Sequence, residues 1–186
     1  MEPELGSTSV REQLIVAGIA ELEAHGIPDF SLRRVATACN LSCAAPYKHF
    51  KDKDALIDAI FAYIRQQLDF LLKQVADVFE AEPRRQLVES CVAYIRFCLA
   101  NPHFRAVMTL SDGSLPLADT MELLLPRCLP QCPPTQRQET ALVLRSLTYG
   151  WALLLASGEL PHSEDVMDHL RDRLSAVLQA TESHTQ

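Results

Sequence analysis

Glycine and aromatic residues are scarce in this chain, and long apolar runs are missing. Only 6 of 186 residues are Gly and 6 % are aromatic, a composition that disfavours collagenous chains and glycine-turn-rich β architectures. No run approaches the roughly 18–20 apolar residues that a membrane-spanning helix needs. The opening Met1-Glu2-Pro3-Glu4 has neither the basic nor the apolar region of a secretion signal. The expectation is a soluble, cytoplasmic protein without a membrane partner. Catalytic motifs are missing too: there is no Gly-x-Ser-x-Gly elbow, no phosphate loop and no His-Glu-x-x-His pair. An enzyme is therefore not expected, and no catalytic residue, metal ligand or cofactor is assigned.

Positive charge is in deficit overall, with a net charge of −7, which argues against indiscriminate coating of nucleic acid. The deficit is uneven. Between Ser31 and Lys53 the cations Arg33, Arg34, Lys48, Lys51 and Lys53 stand against Asp52 alone, so this stretch carries 5 − 1 = +4 and the other 163 residues carry −11. The six cysteines form three local pairs, 39/43, 91/98 and 128/132, and most lie in helical patterns; without a secretion signal they read as thiols. Cys128 and Cys132 have no further His or Cys at zinc-finger spacing.

What is abundant is apolar residues at helical spacing. Leu14, Ile15, Gly18, Ile19 and Leu22 share one face of a helix over about residues 10–25, opened by a Ser9/Glu12 capping box and closed by Gly26. After Ile27-Pro28-Asp29-Phe30, Ser31 caps a short helix through Cys39. Asn40 then tolerates a left-handed turn, and Ser42 opens a second helix of about two turns. Helix, tight turn and short helix make the helix-turn-helix plan, with Val35, Ala36, Leu41 and Ala45 as its local contacts. Asp52 starts a long pattern reaching about Phe79, and Pro83 starts the next. Asn101-Pro102 closes that helix and opens another over 103–111. Between Leu115 and Pro134 five prolines allow about two helical turns, over Leu117–Leu125, and then an irregular connection. Thr135 with Gln138 is a capping pair for a segment to Ser157 that is apolar on nearly every face, which demands burial centrally or between subunits. Ser163 starts the last helix, and residues 181–186 are expected to fray. Two such helices at a C-terminus suit a symmetric four-helix dimer interface.

These residues resemble the tetracycline-repressor (TetR-like) family. The likeness covers Arg11 to Ile60: His25-Gly26, Ser31-Leu32-Arg33-Arg34-Val35-Ala36, Asn40-Leu41-Ser42, and the most specific stretch, Ala45-Pro46-Tyr47-Lys48-His49-Phe50-Lys51-Asp52-Lys53-Asp54-Ala55-Leu56. Asn40 stands where the family more usually has Gly. Asn101-Pro102-His103-Phe104-Arg105 and Tyr149-Gly150 through Leu160 resemble one C-terminal subclass, although Arg145 and Tyr149 occupy positions where that subclass has Trp and His.

The resemblance implies an all-α fold. A helix-turn-helix DNA-binding domain occupies residues 9–50, a linking helix runs over about 52–79, and a ligand-sensing and dimerisation domain spans 80–181. It further implies a homodimer through the last two helices, released from a palindromic operator on double-stranded DNA by an unknown small-molecule effector. An all-α ligand-binding or protein-interaction module without specific DNA binding is the alternative.

In a helix-turn-helix the early residues of the second helix meet base edges, here Ser42, Cys43, Ala44, Tyr47 and Lys48. Ser donates or accepts, Ala touches a thymine methyl, and Lys reaches guanine or phosphate. No Asn, Gln or Arg stands on this helix, so shape and phosphate contacts gain weight. Tyr47, His49 and Lys53 fit phosphate contacts, and Arg33 and Arg34 join the DNA-binding set. The candidate pocket residues are Cys91, Phe97, Phe104, Met108, Met121, Arg145, Tyr149 and Trp151, with Arg96 and Arg105 as further polar groups able to orient a ligand.

Overall fold

In the computed structural model, residues 9–101 and 116–183 are described. Among them are seven α-helices, a 3-10 turn and no strand. They are α1 (Val10–His25), α2 (Leu32–Ala38), α3 (Lys53–Val78), α4 (Pro83–Ala100), α5 (Pro116–Cys128), α6 (Pro134–Ala156) and α7 (Glu164–Ser183). The chain divides into two compact units, Met1–Gln66 and Gln67–Gln186. The all-α expectation holds. The helix expected over 103–111 lies outside the described residues.

Local chemistry sets most helix ends. At α1, Ser9 Oγ accepts from the Glu12 amide at 3.2 Å and the Ser9 amide donates to the Glu12 carboxylate at 2.9 Å, the reciprocal pair of a capping box. Gly26 ends that helix at φ 70°. Ser31 caps α2, Asp52 accepts from the Ala55 amide at 2.9 Å near the start of α3, and Pro83 opens α4. Asn40 is the one described non-glycine residue in the left-handed region, at φ 56°. Its backbone turns the chain so that the Leu41 amide reaches the Ala36 carbonyl at 2.9 Å. Replacing Asn40 by Ala is expected to cost about 1 kcal/mol, because Ala lacks the local hydrogen bonding that lets Asn tolerate this region, whereas Asn40→Gly should be neutral or slightly stabilising. Urea-unfolding midpoints of the two variants check this, and equal midpoints would remove the conformational reading of Asn40.

The first unit packs α1 against α2 over Leu14, Ile15, Leu22, Phe30, Leu32, Val35 and Ala36, with Phe50, Leu56 and Ile60 completing the core. Gly18 sits in close contact with Ile60, whose terminal methyl would have to shift to admit a side chain. A Cβ there would stand 2.6 Å from Ile60 Cδ1 and 3.6 Å from the Phe30 ring. In the second unit α4 is the central element, with α5, α6 and α7 each packed against it. Leu87, Cys91, Ile95, Leu117, Met121, Leu124, Leu144, Leu170 and Leu174 are buried to within 1 %.

Four local expectations are corrected. No α-helix follows Ser42, since residues 43–45 are turns and a 3-10 turn covers Pro46–Lys48. Pro46 has no amide to give the Ser42 carbonyl, so the α-helical bond that would open the helix cannot form. The Ser42 carbonyl accepts from Ala45 instead, followed by Lys48 to Ala45 and His49 to Pro46. Helix α5 does not stop near Leu125 but runs through Pro126 to Cys128. Leu124, Leu125, Cys128 and Leu129 are all buried, and that burial outweighs one missing bond on an exposed turn. Thr135 does not cap α6, because Pro133 occupies the cap and Pro134 the first helical position. The last helix does not fray at 181 but persists to Ser183, with Thr181 Oγ1 bonded to Val177 and Thr140.

Candidate nucleic-acid interface

The residues from Ser42 to Phe50 sort into two sets. Pro46 and Phe50 are buried, Phe50 to 4 %, and anchor the segment. Ser42, Cys43, Ala44, Tyr47, Lys48 and His49 are exposed, Tyr47 to 60 %. Six of the nine expected DNA-binding residues therefore stand together on one short accessible segment. Its turns are tight because Pro46 fixes its own φ and the bonds from Ala45, Lys48 and His49 span three residues, with Phe50 to Pro46 spanning four. Arg11 lies over the Phe50 ring at 5.2 Å, adding a cation beside this anchor that sequence reasoning did not single out.

The cations differ in what they touch. Arg33, Lys48 and Lys51 are exposed and form no hydrogen bond or ion pair through their charged groups among the described residues. Lys51, counted in the charge tally but left out of the expected set, belongs beside the other two. Arg34 and Lys53 are engaged within their own unit. Lys53 Nζ donates to the Ile27 carbonyl at 2.9 Å and to the Pro28 carbonyl at 3.3 Å. It clasps the chain between α1 and α2. The Arg34 guanidinium donates to the Glu21 carboxylate, through Nε at 2.8 Å, and to the Asp29 carbonyl. Glu21, whose side chain is 7 % exposed, also accepts from the Ser31 amide at 3.0 Å and pairs with His25 at 3.3 Å. Burial pushes the Glu21 pKa up, but the bonds from Arg34 and Ser31 outweigh it and hold the carboxyl below 4.5.

The expected pocket residues fall into separate places. Phe104 and Met108 lie outside the described residues. Cys91 and Met121 are buried, and Phe97 is half-buried. Tyr149 packs against Tyr94 with ring centroids 5.4 Å apart and planes tilted by 46°, while Trp151 meets His169 of α7 edge-on at 5.8 Å. Two residues apart on one helix, Tyr149 and Trp151 point to different faces. Arg145 lines a cavity of about 360 Å³ between α5 and α6, with Ala118, Glu122, Leu125, Pro126 and Arg137 among its walls. Arg96 is taken by Glu164 at 2.6 Å.

No disulfide joins any of the six cysteines, and burial pushes Cys91 to about 12 and Cys128 to about 11. Thiols so raised stay protonated and unreactive at neutral pH. Among the described residues no group of three or more His, Cys, Asp or Glu could hold a metal ion, and no helix is long and apolar enough to cross a membrane.

Comparison with known proteins places this geometry. Residues 14–60 match the family model of bacterial regulatory proteins, tetR family. The probable acrEF/envCD operon repressor of Escherichia coli (strain K12) is 24 % identical over 100 residues, 54 % of this chain and 46 % of that protein. The HTH-type transcriptional regulator BetI of Proteus mirabilis (strain HI4320) is 30 % identical over 87 residues, 46 % of this chain and 44 % of that protein. The chain thus spans about half the length of the curated relatives it matches. Solved structures extend the likeness over the whole fold. A protein of unknown function from Rhodococcus sp. RHA1 superposes with a TM-score of 0.73 at 26 % identity, covering 95 % of this chain and 97 % of that one. A TetR variant from Acinetobacter baumannii AYE in complex with minocycline gives 0.64 at 16 % identity, covering 97 % and 99 %.

Proposed function

We propose that this TetR-like chain is a ligand-responsive transcriptional regulator that binds a palindromic operator as a homodimer and represses until a small molecule releases it. The observation that carries this reading is the accessible Ser42–His49 segment, held on buried Pro46 and Phe50 beside the exposed cations Arg33, Lys48 and Lys51, within the stretch that matches the tetR family model. Ser42, Cys43, Ala44, Tyr47 and Lys48 face the bases, and His49, Arg33 and Lys51 meet phosphates. Lys53 and Arg34 serve the interface by shaping the unit that carries it. No step of this function requires catalysis.

The dimer forms through α6 and α7. Leu142, Val143 and Leu153 are 59 %, 46 % and 58 % exposed on α6, although that helix is apolar on nearly every side. Gly150 lies on the same face, and a Cβ added to it would meet nothing within 4 Å. A helical Gly costs about 1 kcal/mol relative to Ala, and no neighbour among the described residues requires it. Close approach of a second copy does. A ligand in the second unit releases DNA only by favouring an arrangement of the dimer that does not fit the operator, so differential affinity sets the size of the response.

Selection from a random duplex library at near-physiological salt tests the reading. The expected result is a palindrome whose half-sites lie about one helical turn apart. On that site Lys48→Ala should lower the slope of log K against log salt by about 1. A folded dimer that enriches no sequence would instead make the chain a ligand-binding module without specific DNA recognition.

A further inference from the structure

Two polar groups on α6 are buried without a partner. Arg145 Nε and the Tyr149 hydroxyl are shielded from solvent, and neither finds a hydrogen bond among the described residues. They stand one turn apart on one helix face. Arg145 also lacks an ion pair: of the acidic residues, Glu122 shares its cavity, yet no ion pair joins Glu122 to Arg145 or Arg137 among the described residues. Buried polar atoms are otherwise satisfied in nearly all proteins, so a shielded guanidinium nitrogen and a shielded hydroxyl without partners stand out. Elsewhere in this unit Arg84 pairs with Glu182, Arg96 with Glu164, and Arg171 with Glu89 and Asp168. Arg145 and Arg137 pair with no described carboxylate and stand on the wall of one cavity of about 360 Å³, and of the two only Arg145 has a shielded nitrogen without a partner.

The walls define what fits. Ala118, Leu125, Pro126, Pro134 and Ala141 offer apolar surface, Gln138 a neutral amide, and two guanidinium groups stand against the single carboxylate of Glu122. We propose that this cavity binds a small organic acid, with its carboxylate on Arg145 and its apolar body along Leu125, Pro126 and Ala141. A carboxylate in the cavity accepts from the part of the Arg145 guanidinium that lines it, and a turn of the side chain would bring the shielded Nε into the same side-on pair. Arg137 adds long-range attraction. An inorganic anion would leave the apolar walls unused, so the occupant is an amphiphile. This inference rests on the sensing role proposed above for the second unit and specifies the chemistry of its effector.

The test uses the full-length dimer and matched probes, octanoate and benzoate against the neutral 1-octanol and benzamide, followed by titration calorimetry and thermal shift. Both acids should bind at least about tenfold more tightly than their neutral partners, and Arg145→Gln should remove that advantage. Arg145→Lys should retain part of it, while Lys73→Gln, an equal charge change on α3, should leave it intact. Ala141→Met, which fills the cavity, should weaken acids and neutral probes alike. Acids that bind no better than the neutral probes, or an Arg145→Gln variant that is folded, dimeric and unchanged in acid binding, would overturn the proposal. The regulator reading is checked separately on the selected operator. Acid binding without operator selection leaves the acid site and removes the regulator. Operator selection without acid preference does the reverse.

Discussion

A chain carrying Leu142→Glu and Leu153→Glu is expected to remain folded, to be monomeric and to lose operator binding. Both leucines are more than half exposed within the chain, so neither substitution opens a cavity in it, and the helical far-ultraviolet spectrum should not change. In a two-fold interface each position occurs twice on the same patch. The pair of substitutions therefore removes four apolar side chains and brings four carboxylates together. Completing the burial of a Leu contributes about 1 kcal/mol beyond what it already has in the chain. With charge repulsion added, dimer dissociation should strengthen by more than about a hundredfold. Operator binding follows, because a palindrome held by one head at a time forfeits the effective concentration that linkage supplies. Sedimentation and gel-shift measurements read the two effects. A dimer that survives would move the interface off this face of α6, and a monomer that still binds the palindrome at full affinity would dissociate dimer from function.

The ends of helices were the most legible part of this fold. Ser9 with Glu12, Ser31, Asp52 and Pro83 act on amides within a few residues, so their chemistry is complete in the local sequence. Asn40 is of the same kind, since its φ of 56° meets a local need for a left-handed residue. Where local rules failed, either a proline had been underweighted or burial had overruled one. Pro46 turned an expected two-turn helix into a 3-10 turn, and Pro133-Pro134 displaced the Thr135 cap. Pro126 failed to end α5 because the residues beyond it, Cys128 and Leu129, are core.

The candidate interface was legible as a segment but not as a set of roles. Exposure of Tyr47, Lys48 and His49 follows from their place around the buried Pro46 and Phe50. The engagement of Lys53 with carbonyls 25 and 26 residues away does not, because charge and motif position say nothing about which way a long side chain turns. The same holds for Arg34, whose acceptor Glu21 lies on another helix. The separation of Tyr149 from Trp151 was available earlier, since residues two apart on a helix cannot face one ligand together. Arg145 was singled out because it interrupts an apolar helix. What the structure adds is that no described acidic residue pairs with it, which depends on elements remote in sequence.

Glu21→Ala should be the most damaging single change in the first unit, and its signature is a dependence on pH. The carboxylate joins three elements: the end of α1 through His25, the start of α2 through the Ser31 amide, and the intervening turn through Arg34, which also holds the Asp29 carbonyl. Removing it leaves a half-buried amide without its acceptor and frees Arg34, a loss of about 2 kcal/mol. The folded state holds the Glu21 pKa below 4.5 because the bonds from Arg34 and Ser31 outweigh its burial. The unfolded chain therefore takes up the proton first as the pH falls. The contribution of Glu21 is complete above about pH 5 and is lost as the pH drops through the lower folded value. Wild type and Glu21→Ala should then differ most near neutrality and converge in acid. Glu21→Gln should restore part of the stability but not its pH dependence, because Ser31 and Arg34 both donate to Oε1, which the amide oxygen replaces, while its uncharged NH2 takes the place of Oε2 beside His25. The single Trp, Trp151, lies in the other unit, so hydrogen exchange of the α1 and α2 amides is the suitable readout. Parallel pH profiles for wild type and Glu21→Ala would show that the ion pairs at Glu21 contribute no stability, and the geometry of α2 would then rest on Leu32, Val35 and Ala36 alone.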